Sequence, residues 1–252
     1  MIPAKTTFMI DLNCDMGEGI STDEALMPFI SSANIACGFH AGDAATIRQT
    51  IDLALQHGVA IGAHPGFDDK ENFGRTEKWL SQKELYSLVS SQIILLFKAC
   101  VEKGCSLHHV KLHGALYNMA ATNAEMANTI AHAIKDIDDK LIVYGLSGSF
   151  LISESAVMGL PTASEVFADR TYNDDGTLTS RSQHGALIED EKKAVEQVMQ
   201  MIEQKKVTAV SGKLIPIHAQ TICIHGDGKH AVDFAKNIHH SLEQKNIVIK
   251  TI

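Results

Sequence analysis

The sequence lacks the short motifs that identify several common classes of enzyme and metal protein. None of its five cysteines forms a C-x-x-C pair, and their odd number argues against a disulfide framework. The HExxH motif of metalloproteases and the GxSxG motif of α/β-hydrolases are absent, as are the GxGxxG and GxxxxGKS/T loops that bind dinucleotides and ATP. We therefore expect reduced thiols and a site that depends on none of these motifs.

Long hydrophobic runs and an excess of positive charge are also missing. The longest apolar run, residues 93–97, is far too short to cross a bilayer, and the first residues carry no apolar stretch of the signal-peptide type. The formal net charge is −8, which argues against binding to a phosphate backbone. We therefore expect a cytoplasmic protein with neither a membrane nor a nucleic acid as partner.

What is present is the composition and rhythm of one globular α/β domain. Hydrophobic residues make up 45% of the 252 residues, enough for a sizeable core. Short apolar runs alternate with amphipathic stretches around residues 47–55, 85–96 and 195–202, which predicts a parallel sheet with helices. Seven or eight such units favour a TIM-like parallel β/α barrel, with residues 1–252 as a single domain. The candidate strands are Phe8–Cys14, Ala33–Cys37, Val59–His64, His109–His113, Leu141–Gly145, Ala163–Ala168, Thr221–His225 and Ile247–Thr251.

Polar side chains stand at the carboxyl ends of these candidate strands. Because alternate residues of a strand share a face, Asp11, Asn13 and Asp15 lie together, opposite Ile10 and Leu12. The outer face of a barrel strand packs on helices, so the polar residues should point inwards and meet at the C-terminal mouth, where barrel enzymes have their active sites. The candidates for catalysis are Asp15, Lys111, His113, Glu165, His225 and Asp227, and those for substrate binding are Asn13, His40 and His64.

Some of these positions are also candidates for a metal site. A carboxylate and two imidazoles at strand ends, Asp11, His40 and His64, could hold one divalent ion, although no diagnostic spacing accompanies them. Asp43 has a simpler interpretation, because it immediately precedes an amphipathic stretch. We expect it to cap the helix that follows.

Lys111 is unusual because it lies inside a candidate strand, on the face predicted to point inwards. A lysine in that environment stays charged only if a carboxylate pairs with it. The predicted partners are Asp15, Glu165 or Asp227. We therefore expect Lys111 to be buried at the mouth in an ion pair.

Two long loops follow candidate strands and should overhang the same mouth. They comprise residues 68–76 and 172–181, and with the adjacent segment they carry Arg75, Arg170 and Arg181. Guanidinium groups bind carboxylates and phosphates through two parallel hydrogen bonds. These three arginines are the remaining candidates for substrate binding.

Six segments resemble, in order, the motifs of the LamB/YcsF family. Together they extend from the first candidate strand to the last helix, so the resemblance covers nearly the whole chain. The segments are Asp11–Gly19 (DLNCDMGEG), Ala33–Asp43 (ANIACGFHAGD), Ile61–Gly66 (IGAHPG), Lys111–Asn118 (KLHGALYN), Glu165–Tyr172 (EVFADRTY) and Cys223–Asp227 (CIHGD).

The resemblance implies more than the residues alone establish. It implies a barrel of seven strands, similar to that of polysaccharide deacetylases. It also implies ATP-dependent cleavage of 5-oxoproline (pyroglutamate) to L-glutamate, in a complex with 5-oxoprolinase subunits B and C. ATP is then a cofactor of the complex, although the resemblance does not identify the chain that binds it.

Within that reaction, several assignments stay open. Asp15 or Glu165 would be the general base, His113 or His225 would protonate the leaving nitrogen, and Lys111 would stabilise the oxyanion. One alternative is a metal-dependent deacetylase acting on carbohydrate amides. Another is a subunit that binds substrate without catalysis.

Overall fold

The computed structural model describes residues 8–226 and 231–252, in which strands and helices alternate as the sequence predicts. Most of the candidate strands are present within one or two residues of their predicted bounds. In chain order the strands are β1 (Met9–Met16), β2 (Ser32–Ala36), β3 (Ala60–His64), β4 (His109–Lys111), β5 (Ile142–Leu146), β6 (Thr162–Phe167), β7 (Lys206–Thr208), β8 (Leu214–Pro216), β9 (Thr221–Ile224) and β10 (Val248–Ile249).

Seven parallel strands close into a barrel, as predicted. Their order is β1-β2-β3-β4-β5-β6-β9, and β9 pairs in turn with β1. In β9, Thr221 stands opposite both Asp11 of β1 and Glu165 of β6, so it marks where the ring closes. The predicted last strand lies outside the ring, because among the described strands β10 pairs only with the start of β1. The antiparallel hairpin β7–β8 was not predicted.

Helices cover the outside of the barrel. The three predicted amphipathic stretches all lie in helices, and Asp43 caps the second helix by accepting hydrogen bonds from the backbone N–H groups of Ala45 (3.0 Å) and Thr46 (2.8 Å). The helices are α1 (Asp23–Leu26), α2 (Ala44–His57), α3 (Gln82–Glu102), α4 (Gly114–Thr122), α5 (Ala124–Lys135), α6 (Phe150–Val157), α7 (Glu191–Gln204) and α8 (Ala231–Gln244).

The alternation along β1 separates the apolar core from the polar interior of the barrel. Ile10 and Leu12 are buried in the apolar core. Asp11 and Asn13 point the other way and bond to side chains of neighbouring and facing strands, including Thr221. The apolar layer between strands and helices therefore fixes the direction in which the polar residues point.

Helix α3 is, by length and composition alone, apolar enough to cross a membrane, with a mean hydropathy of 1.4. One of its faces nevertheless packs in the core through residues such as Val89 and Ile93. Gln92 also binds the backbone of Gly66 twice, accepting from its N–H (3.0 Å) and donating to its carbonyl (2.8 Å). These contacts make α3 part of the barrel wall.

Candidate functional site

A cavity of about 480 Å³ opens at the carboxyl ends of the barrel strands. Its wall combines acidic, basic and aromatic side chains, and most of the predicted catalytic and arginine candidates take part. The main lining residues are Asp15, Glu18, Phe73, Arg75, Lys111, His113, Tyr117, Phe167, Arg170, Arg181 and His225.

Lys111 forms the predicted ion pair on the cavity floor. Its Nζ lies 2.8 Å from Asp15 Oδ1 and 2.9 Å from Glu165 Oε1, and the lysine is only 2% exposed. Burial disfavours the charged ammonium, but the neighbouring anions, Asp15 first, outweigh it and raise the pKa of Lys111 well above its usual value. For Asp15, burial is likewise outweighed by His64 and Lys111, so its pKa lies well below the usual range. This group is therefore a charged, internally paired unit.

The ammonium of Lys111 has no hydrogen left over. It carries three N–H donors, and four acceptors surround it, since Asn13 Oδ1 (3.1 Å) and Cys223 Sγ (3.0 Å) join the two carboxylates. Asn13 in turn donates to Glu165 Oε1 at 2.9 Å. Lys111 therefore holds two carboxylates in place. We call Asn13, Asp15, Lys111 and Glu165 the lysine hub.

Beside the hub, a glutamate and three histidines gather their ligand atoms within 4.8 Å of one another. We call this group, which comprises Glu18, His40, His64 and His113, the Glu18–histidine cluster. Glu18 Oε1 lies 3.3 Å from His40 Nε2 and 3.3 Å from His113 Nδ1. His64 Nε2 lies 2.9 Å from His113 Nδ1 and 3.9 Å from Glu18 Oε1. The donor set of three imidazoles and one carboxylate can hold a metal ion.

In two of these rings the outer nitrogen, which is the one facing away from the other cluster residues, contacts a backbone carbonyl. His64 Nδ1 lies 2.9 Å from the carbonyl oxygen of Lys111, and His113 Nε2 lies 2.9 Å from that of Phe73. His40 Nδ1 is buried and has no hydrogen-bond partner in the part of the chain that the structure describes. Burial, followed by the nearby His64, lowers the pKa of His40 to about 3 and that of His113 well below its usual value. The other nitrogens of His64 and His113 face each other inside the cluster.

Glycines make room for the stacked rings of His40 and His113, whose centroids are 3.8 Å apart. A Cβ atom on Gly66 would lie 2.9 Å from His40 Nδ1. A Cβ atom on Gly74, where φ is +65°, would lie 2.8 Å from His40 Cβ. Phe73 contacts both rings edge-on. The backbone around the cluster is thus shaped to fix the orientation of the imidazoles.

Another histidine of the cavity wall, His225, is held by a carboxylate. Its Nδ1 lies 2.8 and 2.7 Å from the two oxygens of Asp169, and its ring stacks on Phe167. Burial raises the pKa of Asp169, but the adjacent His225 outweighs this effect and keeps it below the usual value. Because Asp169 holds Nδ1, Nε2 is the remaining nitrogen of His225, whose ring lines the cavity.

The three predicted arginines lie on the cavity wall. Arg170 is 4% exposed and donates to the carbonyl oxygens of Thr179 (2.6 Å) and Ala186 (3.4 Å). Among the described residues no carboxylate forms an ion pair with it, and burial together with the like charge of Arg181 lowers its pKa to about 10. Arg75 lies over the ring of Phe73. The buried guanidinium of Arg170 is therefore suited to binding an anion.

Asp11 is not where we expected it. It accepts hydrogen bonds from Ser31 (2.6 Å), Ser32 (2.7 Å) and Thr221 (2.5 Å), and it belongs to none of the described groups that could hold a metal. Asp11 lies four residues before Asp15 on β1, which is about 13 Å along a strand, towards the opposite end of the barrel. The structure therefore does not bring Asp11 together with His40 and His64.

Other candidates stand behind the cavity wall or outside the described chain. Four of them are buried without lining the cavity: Asn13, His40, His64 and Glu165. Asp227 lies outside the described residues. Sequence reasoning missed Glu18 and Asp169, although both lie inside segments that carry the family resemblance.

Comparisons of the sequence and of the fold with known proteins agree with one another. The sequence model described as the LamB/YcsF family matches residues 10–252. The A subunit of a 5-oxoprolinase from Tolumonas auensis is 51% identical over 96% of this chain and 99% of its own length. The crystal structure of a lactam utilization protein from Thermus thermophilus has a TM-score of 0.91 at 38% identity, covering 97% of this chain and 100% of that one. A peptidoglycan deacetylase from Bacillus subtilis, with a TM-score of 0.50 at 12% identity, covers 98% of this chain and 89% of that one and shares the fold alone.

Proposed function

This chain belongs to the LamB/YcsF family, and from that premise we propose that it opens the lactam ring of 5-oxoproline to give L-glutamate, as one member of an ATP-hydrolysing complex with subunits B and C. The names of its relatives, the A subunit of 5-oxoprolinase and a lactam utilization protein, support the substrate class. An ATP-dependent reaction also agrees with the cytoplasmic location expected from the sequence.

The observation that carries the proposal is the lysine hub on the floor of a cavity whose wall includes three arginines. Hydrolysis adds water to the lactam carbonyl carbon, breaks the ring C–N bond and leaves the nitrogen as an amine, so the site must accept one proton and supply another. Asp15 lines the cavity as an ionised carboxylate, whereas Glu165 lies behind the wall. We therefore assign the role of general base to Asp15.

Proton delivery to the leaving nitrogen is assigned to His225 rather than His113. His225 has one nitrogen on Asp169 and lines the cavity with the same ring, which is the arrangement of an oriented acid–base imidazole. Both nitrogens of His113 already contact other groups, Phe73 on one side and His64 on the other. Lys111 acts through the carboxylates that it positions, because its hydrogens are already taken.

Arg170 and Arg181 would bind the anionic part of the substrate. 5-Oxoproline carries a carboxylate on the carbon next to the ring nitrogen. The buried guanidinium of Arg170, which forms no ion pair within residues 8–226 and 231–252, would gain one from it. Phosphorylation of the lactam oxygen by ATP would make the ring carbon more electrophilic. Water added to that carbon would then open the ring to an acyl phosphate, and a second water would release phosphate and leave glutamate. Because the sequence has no nucleotide motif, we assign that activation step to the partner subunits.

Reconstitution tests the proposal directly. The chain is assayed for loss of 5-oxoproline, with and without ATP and the partner subunits B and C. We expect turnover only in the full mixture, with one glutamate formed for each ATP hydrolysed. Absence of turnover in the full mixture would contradict the proposed function, and turnover by the isolated chain would contradict the dependence on partners.

A second candidate is metal-dependent hydrolysis of an acetylated amino sugar. The Glu18–histidine cluster favours it, because a divalent metal there would supply a Lewis acid next to the cavity. Release of acetate from an acetylated sugar, in the absence of ATP, would support this candidate. A role in substrate binding alone is disfavoured by the acid–base groups on the cavity wall.

A further inference from the structure

The distances within the Glu18–histidine cluster are those of ligands around a single small cation. With metal–ligand distances of about 2.1 Å, tetrahedral geometry places the ligand atoms about 3.4 Å apart. Four of the separations between ligand atoms are 2.9, 3.3, 3.3 and 3.9 Å, and all of the ligand atoms lie within 4.8 Å of one another. These four separations bracket the tetrahedral value, so the side chains already lie close to the spacing of metal ligands.

The hydrogen bonds on the outside of the cluster decide which atoms face its centre. A carbonyl oxygen accepts only, so the outer nitrogens of His64 and His113 must carry the hydrogens that point to the carbonyls of Lys111 and Phe73. In the neutral rings, the inner nitrogens then both present lone pairs, 2.9 Å apart. Two lone pairs at that distance repel each other unless a proton or a metal ion lies between them.

The same outer contacts are typical of metal-bound imidazoles. A ligating histidine usually donates its second N–H to a carbonyl or a carboxylate, which fixes the tautomer and the ring orientation. His64 and His113 both do so. His40 stacks on His113, and with its outer nitrogen unpartnered among the described residues it has only Nε2 to contribute, beside Glu18.

From this geometry we infer that the Glu18–histidine cluster is a resident site for one divalent transition-metal ion, with Zn²⁺, Co²⁺ or Fe²⁺ preferred over Mg²⁺ and Ca²⁺. Three imidazole nitrogens suit the former ions, whereas Mg²⁺ and Ca²⁺ take mainly oxygen ligands. Glu18 and His113 line the cavity, so the ion would face the substrate.

A second group of potential ligands is already satisfied by another cation. Asp15, Cys223 and His225 also bring ligand atoms within 4.8 Å of one another. There, however, the ammonium of Lys111 contacts both Asp15 and Cys223, and His225 is paired with Asp169. This group therefore supplies the matched control for the experiment.

Metal binding by the full chain tests the inference. The protein is stripped with a chelator and titrated with Zn²⁺ and with Co²⁺, while bound metal and the melting temperature are measured. Wild-type protein should bind one ion per chain and melt at a higher temperature with Zn²⁺ but not with Mg²⁺. The variants Glu18→Gln and His113→Asn should weaken binding by at least about 10- to 100-fold, the loss typical even of residues that only orient ligands. The control His225→Asn should bind as wild type does.

The results that would overturn the metal site differ from those that would contradict the proposed function. If stripped wild-type protein binds neither Zn²⁺ nor Co²⁺, or if His225→Asn loses the ion while Glu18→Gln keeps it, the inference is overturned. Circular dichroism of the metal-free variants shows whether they fold, and the wild-type titration decides the question if they do not. Metal binding is measured without substrate, ATP or partners, so a chain that binds zinc but leaves 5-oxoproline intact in the full mixture would contradict only the proposed function.

Discussion

Replacement of Lys111 by methionine is the sharpest test of the lysine hub. Methionine keeps most of the volume of the stem and removes the ammonium that lies 2.8 Å from Asp15 and 2.9 Å from Glu165. Because the side chains of Lys111, Asp15 and Glu165 are at most 11% exposed, water cannot replace the lost charge. Two carboxylates are then left without their cation inside the barrel.

The expected loss of stability is large. Removing one partner of a buried ion pair costs about 3–5 kcal/mol, because the remaining charge is uncompensated. For a domain of this size each kcal/mol corresponds to about 2–4 °C in melting temperature, so Lys111→Met should melt about 6–20 °C below wild type. Turnover in the reconstituted complex should fall as well, since Asp15 loses its position.

The control is a lysine in an exposed ion pair. Lys103 Nζ lies 2.6 Å from Asp52 on the surface, so Lys103→Met removes an equally short contact that solvent can replace. Exposed pairs contribute about 0–1 kcal/mol, which predicts a change of less than about 4 °C. If Lys111→Met melts as close to wild type as Lys103→Met does and loses only turnover, then Lys111 is a free oxyanion donor and our account of the hub is wrong.

Three further substitutions probe the rest of the site. Gly66→Ala places a Cβ 2.9 Å from His40 Nδ1, and such overpacking should lower the free energy of unfolding by about 1–3 kcal/mol, measured by denaturant titration. An unchanged midpoint would contradict the tight packing of the rings. Arg181→Gln should lower kcat/KM for 5-oxoproline by about 10- to 100-fold, the value of a hydrogen bond to a charged group. It should not alter binding of the same lactam without its carboxylate, and equal effects on both ligands would show that Arg181 does not contact the carboxylate. His225→Asn should lower turnover by about 10²- to 10⁴-fold, the usual contribution of a general acid; near-normal turnover would exclude it as the proton donor.

The sequence predicts the barrel and the direction of its polar residues because strand alternation has a fixed period of two. Lys111 and His225 line the cavity for that reason, together with Asp15. Alternation does not predict, however, how far along the barrel axis a residue lies. Asp11 lies on the same face as Asp15 but at the other end of the strand, where hydroxyl groups such as that of Thr221 surround it.

Residues beyond the strand ends escape the same reasoning. Glu18 follows β1 between Gly17 and Gly19, whose φ angles of +71° and +82° turn the chain back over the mouth. Side chains do not alternate between two faces in such a turn, so the sequence pattern does not indicate that Glu18 meets three histidines. The hairpin β7–β8 was missed for a different reason: its strands have three residues each, too few for an alternation to be recognised.

Asp15 connects the two halves of the site, and this gives the last prediction. Its Oδ1 accepts from Lys111 and from Asn34 (2.9 Å), whereas its Oδ2 lies 3.3 Å from His64 Nε2. One carboxylate therefore faces both the ammonium of the hub and the inner nitrogen of a candidate metal ligand. Asp15→Asn keeps the shape but removes the charge, so it should lower turnover and also weaken Zn²⁺ binding by about 10- to 100-fold, as loss of a group that supports a ligand does. Both quantities are measured on one preparation, with His225→Asn as the variant expected to lose turnover alone. Zinc affinity at the wild-type level in Asp15→Asn would show that the hub and the cluster work separately.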